Sequence, residues 1–192
     1  MVMMKARNVF AALVALVVIG LAACAGPTPA TAEAAPALTP TVATPTTAAP
    51  QAIRQQVEVT FYAAADNDPP GSAEIAYPNS RHTAAGGTGT YADPLTTASD
   101  PRELPPGTLL YAPQLQAYLV MEDDCADCIA EWEHSRTAHI DIWTGMSGPG
   151  LQACEQALTP DAPVPLEVNP PPGRPTDPRP LYTPSAGCRV PS

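Results

Sequence analysis

The run TTASDPRELPPGTLLYAPQLQAYLVMEDD at residues 96–124, followed by HIDIWTG at residues 139–145, decides the fold of this chain. Short segments rich in β-branched and aromatic residues alternate here with turns that contain Pro and Gly. TLLYAP and AYLVMED predict two strands separated by a turn near residues 114–116. HIDIWTG predicts a third strand, with Ile140 and Ile142 on one face and the intervening residues on the other. Short strands at close spacing are typical of a small all-β barrel.

The flanking segments continue this pattern in both directions. VEVTFYAA (57–64) alternates apolar and polar side chains and predicts a strand. The glycine run AAGGTGT (84–90) lacks the lysine and the strand–helix context of a phosphate-binding loop, and it is predicted to lead into a strand. LQACEQAL (151–158) predicts a helix, CIAEWEH (128–134) is a second helix candidate, and VPLEV (164–168) is a possible further strand.

Three aspartates of the central run resemble those of the three-aspartate (3D) domain, which is also the catalytic portion of membrane-bound lytic transglycosylase A. Asp100 precedes a proline and a Pro-x-Gly-Thr turn, Asp123 closes the strand LVMED, and Asp141 lies in the Ile-Asp-aromatic strand HIDIW. The resemblance covers about residues 85–145 and implies an all-β fold, a small six-stranded double-psi β-barrel, as in expansins and RlpA-like proteins. It also implies that Asp141 is an acid/base, that Asp123 lies across the groove, and that Asp100 holds a turn.

The segment between the last two aspartates differs from the 3D pattern. A glycine-rich loop follows the second aspartate in that family, whereas DCADCIAEWEHSRTA is longer, acidic and free of glycine. A longer run, over most of residues 57–190, is also similar to secreted fungal and bacterial proteins of unassigned activity. That second resemblance implies no particular chemistry.

Two functions are compatible with these features. In the first, the barrel cleaves peptidoglycan or a related glycan, with Asp141 and Asp123 as catalytic residues, because glycosidic cleavage needs an acid at the leaving oxygen. In the second, the barrel binds a wall polysaccharide or a protein of the cell envelope and cleaves nothing. Side chains predicted to shape the groove or support it are Asp100, His139, Trp143, Tyr91 and Tyr118.

The N-terminus predicts the compartment. Lys5 and Arg7 precede the apolar run AALVALVVIGLAA, which is shorter than the ~20 residues of a membrane span and is typical of a secretory signal. LAAC resembles a bacterial lipobox, which implies cleavage after residue 23 and lipidation of Cys24. Residues 24–56 are rich in Ala, Pro and Thr and predict a disordered tether, which leaves residues 57–192 for the barrel and its proline-rich tail.

The formal net charge of −10 argues against nucleic acid as a partner. The predicted partners are a cell-wall polysaccharide and, through the lipid on Cys24, the membrane. We therefore expect an extracytoplasmic protein that is lipid-anchored to a bacterial membrane.

The remaining four cysteines have three possible roles. CADC with His134 and His139 has the residue types of a zinc site, and CxxC is also a redox motif. An oxidising compartment favours disulfides over both, so we predict no metal and no cofactor. Pairing each CxxC cysteine with a distant one is preferred, because closing long loops removes more entropy from the unfolded chain. The cysteines concerned are Cys125, Cys128, Cys154 and Cys188.

Overall fold

The computed structural model describes residues 53–190, so the predicted signal peptide, Cys24 and most of the predicted tether lie outside the described residues. The predicted small all-β barrel with two short helices is confirmed. Strand β1 begins at Ile53, upstream of the predicted domain boundary at residue 57. No helix in the described part of the chain is both long and apolar enough to cross a membrane. The elements are β1 (Ile53–Ala63), β2 (Leu95–Ser99), β3 (Leu109–Ala112), β4 (Ala117–Asp124), α1 (Ala126–Ser135), β5 (His139–Gly145), α2 (Leu151–Leu158), β6 (Val164–Val168), β7 (Tyr182–Thr183) and β8 (Gly187–Cys188).

Six strands close into a barrel in the order β1-β5-β2-β4-β3-β6, and β7 pairs with β8 in a separate hairpin. The pairs β1–β5 and β2–β4 are parallel, and the other barrel neighbours are antiparallel. A parallel pair needs a long crossover connection, and two such pairs in one small barrel fit the double-psi-like arrangement. The β1–β5 register places Thr60 opposite Asp141, and the β2–β5 register places Ala98 there.

Alternation along the strands separates two apolar clusters. Val59 of β1 and Ile140 and Ile142 of β5 point into the barrel, where both isoleucines are fully buried. The opposite face of the same strands carries Tyr62 and Trp143, whose rings meet edge to face with centroids 5.3 Å apart. These rings pack with the cysteines at the start of α1 in a second cluster. The predicted faces of β1 and β5 are confirmed, and both faces are covered near the carboxyl ends of these strands.

Two disulfides form, as predicted, but the predicted pairing is wrong. Cys125 bonds to Cys128, and Cys154 bonds to Cys188. Cys125 is the N-cap of α1, and its sulfur accepts a hydrogen bond from the backbone N–H of Cys128. The first turn of the helix therefore brings the two Cα atoms to 5.2 Å, so local helix geometry outweighs the entropic advantage of a longer loop. The second disulfide ties α2 to the terminal hairpin.

The glycine-rich loop before β2 is fixed by backbone and side-chain contacts. Gly87 has a φ of +93°, and a Cβ there would lie 1.9 Å from the carbonyl oxygen of Pro94, so only glycine fits. His82 places Nδ1 2.6 Å from Oε1 of Glu122 and Nε2 2.9 Å from Oδ1 of Asp93. Although burial opposes it, these two carboxylates raise the pKa of His82. The histidine thereby joins the loop to β4.

Candidate active site

A cavity of about 530 Å³ lies where β1, β2 and β4 end and α1 begins, and Asp141 of β5 forms part of its wall. Asp123 and Asp141 both line it, together with Tyr62. Five further carboxylates surround them, and no Lys or Arg is found among the described residues that line the cavity. The surrounding acids are Asp66, Asp68, Glu74, Asp124 and Asp127. Such a lining favours positive charge inside the cavity.

Asp141 has the least satisfied carboxylate of the three motif aspartates. Its Oδ1 accepts a hydrogen bond of 2.9 Å from Oγ1 of Thr60, and within residues 53–190 no other group donates to this carboxylate. Burial raises the pKa of Asp141 to about 6, with smaller contributions from the negative charges of Glu155 and Asp66. A carboxyl with this pKa has both protonation states available near neutral pH, so it can give and take a proton.

Asp123 lies in the same cavity with both oxygens occupied. Oδ2 accepts the hydroxyl of Tyr62 at 2.9 Å, and Oδ1 accepts the backbone N–H groups of Ala76 and Asp124 at 3.0 and 2.9 Å. Burial raises the pKa of Asp123, although these three donors favour its ionised form. Asp123 therefore holds Tyr62 and the loop at Ala76 in place, and its predicted role as a second catalytic carboxylate stays a prediction.

Asp100 lies away from the cavity and is fully buried. Oδ1 accepts the backbone N–H of Arg102 at 2.6 Å, and both carboxylate oxygens accept Nε of the same arginine at 3.0 Å. The side-chain hydrogen bond from Arg102 keeps the pKa of Asp100 below its usual value. Asp100 thus holds the turn between β2 and β3.

The aromatic candidates do not form an open surface for stacking sugar rings. Trp143 is 6% exposed and Tyr118 is 1% exposed, and neither lines the cavity. The Tyr118 hydroxyl donates to the carbonyl of Pro171, which fixes the ring against the proline-rich tail. Tyr91 is 39% exposed and packs edge to face on Tyr118. The second apolar cluster covers Trp143 and the proline-rich tail covers Tyr118, so of the two predicted roles these rings can support the groove rather than line it.

His139 lies beneath Asp141 and contacts residues that the sequence patterns did not single out. Its ring is nearly fully buried, with Nε2 2.9 Å from Oγ1 of Thr60 and Nδ1 2.8 Å from Oε2 of Glu131. The one feature of the sequence that could have pointed to Thr60 is its place on the outward face of β1, which it shares with Tyr62. Its position opposite Asp141 depends on the parallel register of β1 and β5, which no local pattern reveals.

The CxxC cysteines and His139 come close together, but not as a zinc site. Potential ligand atoms of Cys125, Cys128 and His139 lie within 4.8 Å of one another, and His134 is not in this group. Both sulfurs are joined in the disulfide, and both ring nitrogens of His139 face hydrogen-bond partners. The alternative of a C-x₂-C…H zinc site is therefore not supported by this arrangement, since zinc requires free thiolates.

Comparison with known proteins places this barrel in a family. No solved structure matches the chain. A Dictyostelium discoideum protein, described as uncharacterized protein DDB_G0273701/DDB_G0273221, is 47% identical over 104 residues, which are 53% of this chain and 45% of that protein. The match thus spans less than half of that relative's length. A family model described as the DDB_G0273701 N-terminal domain matches residues 54–189, from β1 to the terminal hairpin with both helices and all four disulfide cysteines. The chain therefore belongs to the DDB_G0273701 N-terminal domain family.

Proposed function

We propose that this domain cleaves a glycosidic bond in a cell-wall polysaccharide, peptidoglycan or a related glycan, with Asp141 as general acid and base. One observation carries the proposal. The carboxyl of Asp141 lines a cavity, has a pKa raised by burial to about 6, and accepts a hydrogen bond at only one oxygen. An acid of this kind is what protonation of a leaving glycosidic oxygen requires.

The proposed reaction uses a single reacting carboxyl. Protonated Asp141 gives its proton to the glycosidic oxygen as the bond to the anomeric carbon breaks. Positive charge then develops on the sugar ring, and the acidic lining of the cavity stabilises it. The resulting carboxylate next accepts a proton from the attacking hydroxyl. Because the oxygens of Asp123 are occupied, we favour attack by the sugar's own 6-hydroxyl, which yields an anhydro product without a second catalytic carboxylate.

Two sequence features support the proposed setting. The positions of Asp100, Asp123 and Asp141 resemble those of the 3D domain, and LAAC before residue 25 resembles a lipobox. We therefore propose a secreted protein that is anchored to the membrane through lipidated Cys24 and reaches the wall by its tether. A barrel that only binds polysaccharide or protein is the competing proposal, and it has less support because Trp143 and Tyr118 are buried.

Incubation of the purified chain with wall sacculi tests this function. Wild-type protein should release soluble anhydro-muropeptides, measured by liquid chromatography and mass spectrometry. Asp141→Asn should reduce the release about 10²- to 10⁴-fold, the usual contribution of a general acid. Asp161→Asn is the matched control, because it removes an exposed carboxylate that lies outside the cavity and should retain most of the activity. Equal release by wild type and Asp141→Asn, or no release by either, contradicts the proposal.

A further inference from the structure

A continuous hydrogen-bonded chain leads from Asp141 away from the cavity. Oδ1 of Asp141 is 2.9 Å from Oγ1 of Thr60, and this hydroxyl is 2.9 Å from Nε2 of His139. Nδ1 on the other side of the ring is 2.8 Å from Oε2 of Glu131. We name these residues, Glu131, His139, Thr60 and Asp141, the carboxyl chain. Each contact is within ordinary hydrogen-bond length, so protons can pass along it.

The two ends of the carboxyl chain face different surroundings. Asp141 lines the cavity, whereas Glu131, His139 and Thr60 do not. The His139 ring is 5% exposed, and the Glu131 side chain on α1 is 41% exposed. The carboxyl chain therefore connects the cavity wall with solvent through the buried ring of His139.

The fold explains why these groups meet. His139 and Asp141 are two residues apart on β5, so they share one face of the strand and lie about 7 Å apart. The parallel register places Thr60 of β1 opposite Asp141 and Glu58 opposite His139. The threonine hydroxyl therefore bridges a gap that neither β5 side chain can close alone.

We propose that Glu131, His139 and Thr60 form a proton relay that exchanges the proton of Asp141 with solvent outside the cavity. The relay rests on the proposed function, in which Asp141 gives and takes a proton. The three residues are positioning residues, because none of them lines the cavity that would hold the glycan.

The hydrogen count defines the two states of the relay. The Thr60 hydroxyl has one hydrogen, so when it donates to the Asp141 carboxylate it must accept from Nε2–H of His139. A proton that Glu131 takes up from solvent is then donated to Nδ1. In the transfer, the Glu131 proton moves to Nδ1, the Nε2 proton moves to Thr60, and the Thr60 proton moves to Asp141. The result is a Glu131 carboxylate, neutral His139 with Nδ1–H, and protonated Asp141, so each group except the two ends keeps its charge.

The relay matters when the cavity is full. A bound glycan excludes the water that would otherwise exchange protons with Asp141. Glu131, at the outer end of the carboxyl chain on α1, stays accessible to solvent while a glycan is bound. Asp141 can therefore regain its starting protonation state before the product leaves. We therefore expect the relay to change the pH dependence of the reaction more than substrate binding.

The groups that face the carboxyl chain are mainly acidic. Oε2 of Glu103 accepts the backbone N–H of His139 at 3.2 Å, and burial raises the pKa of Glu103. Negative charge on several sides favours retention of a proton within the chain. The facing titratable groups are Glu58 and Tyr62 on β1, Asp66 after β1, Glu103 before β3, Asp123 on β4 and Glu155 on α2.

Thr60→Val tests the relay, because valine keeps the shape of threonine and removes the bridging hydroxyl. NMR titration of the purified chain follows the Asp141 carboxyl carbon and the His139 ring nitrogens without substrate. In wild type the two signals should share their inflections, as expected for coupled groups. In Thr60→Val they should separate, and the Asp141 midpoint should rise because its hydrogen-bond donor is lost. Thr60→Ser should restore the shared inflections.

Thr97→Val is the matched control. The Thr97 hydroxyl donates to the backbone carbonyl of Asp141 at 2.8 Å and not to its carboxylate, so its loss should leave the shared inflections unchanged. Separate inflections in wild type, or equal curves for Thr60→Val and Thr97→Val, overturn the relay. Coupled inflections in a protein that releases nothing from sacculi contradict the proposed function alone. Release from sacculi by a wild type with uncoupled inflections contradicts the relay alone.

Discussion

The Asp100 turn and the Asp141 cavity wall show how one barrel uses the same side chain in opposite ways. Asp100 is fully buried against the guanidinium and backbone N–H of Arg102, and its pKa is lowered. Asp141 has one hydroxyl donor and no Arg or Lys partner among the described residues, and burial raises its pKa to about 6. A carboxylate saturated with donors stabilises a turn, whereas one that lacks them keeps a proton to transfer. The partners, rather than the position in a motif, decide the chemistry.

Removing the cation from the Asp100 turn should have the largest effect on stability. Arg102→Ala leaves a fully buried carboxylate without its guanidinium, so we expect the Tm at pH 7 to fall by roughly 5–10 °C. Circular dichroism during heating measures this change. Arg81→Ala, at an exposed position, is the control and should change the Tm by less than about 2 °C.

The pH dependence of this loss sharpens the comparison. The pKa of Asp100 is lowered in the folded state, so its stabilising contribution is present above the unfolded value of 3.8 and is lost as the pH falls through the folded value. The difference between wild type and Arg102→Ala should therefore shrink below about pH 4. A difference that stays constant from pH 7 to pH 3 would show that lost packing, and not charge, causes the effect.

Asp141→Asn should stabilise the fold, whereas Arg102→Ala should destabilise it. The pKa of Asp141 is raised in the folded state, so the folded protein binds more protons than the unfolded chain between about pH 4 and pH 6, and stability decreases as the pH rises through this range. Removal of the charge should increase the free energy of unfolding at pH 7 by about 1–2 kcal/mol, after allowance for partial solvent screening. Urea denaturation at pH 7 and pH 3.5 measures it. The gain should vanish at the lower pH, and a gain of equal size at both would contradict the role of burial.

Tyr62→Phe tests the assignment of Asp123 as a positioning residue. The change removes one of three donors to Asp123 and keeps the ring that packs on Trp143, so we expect a loss of about 1 kcal/mol. Denaturant unfolding measures the loss, and glycan release should fall by less than tenfold. A fall as large as that of Asp141→Asn would instead make Asp123 or Tyr62 a direct participant in the reaction.

Glu131→Gln should have the smallest effect on stability. Glu131 is 41% exposed, and exposed ion pairs contribute little, so the free energy of unfolding should change by less than about 0.5 kcal/mol. The pH optimum of glycan release should nevertheless move, because a glutamine amide at the outer end of the carboxyl chain cannot pass a proton to His139. An unchanged pH profile alongside unchanged stability would remove Glu131 from the relay.

Local patterns in the sequence were enough to predict the elements of the barrel. HIDIWTG, LQACEQAL and VPLEV predicted two strands and a helix at the positions where β5, α2 and β6 lie. Alternation also predicted that Ile140 and Ile142 share one face. These features depend only on the nearest neighbours of each residue, so a single sequence is sufficient.

Features that depend on distant partners were not predictable in this way. The Thr60–Asp141 contact arises from the parallel register of β1 and β5. Trp143 is buried because Tyr62 and the start of α1 pack against it. The disulfide between Cys125 and Cys128 forms because α1 begins between them and folds the first turn. Each of these features depends on packing between distant residues, which produces no periodic pattern in the sequence.

The order of the strands has a consequence for how the protein is made. β1 is the first strand of the barrel, yet its two neighbours, β5 and β6, are the last two. During synthesis the barrel therefore cannot close until residue 168 has emerged, because β1 can pair with β5 earlier but lacks its second neighbour, β6, until then. Until that moment the edge of β1 that β6 covers stays open. A chain truncated before β6 should consequently aggregate through β1 rather than fold into a smaller domain.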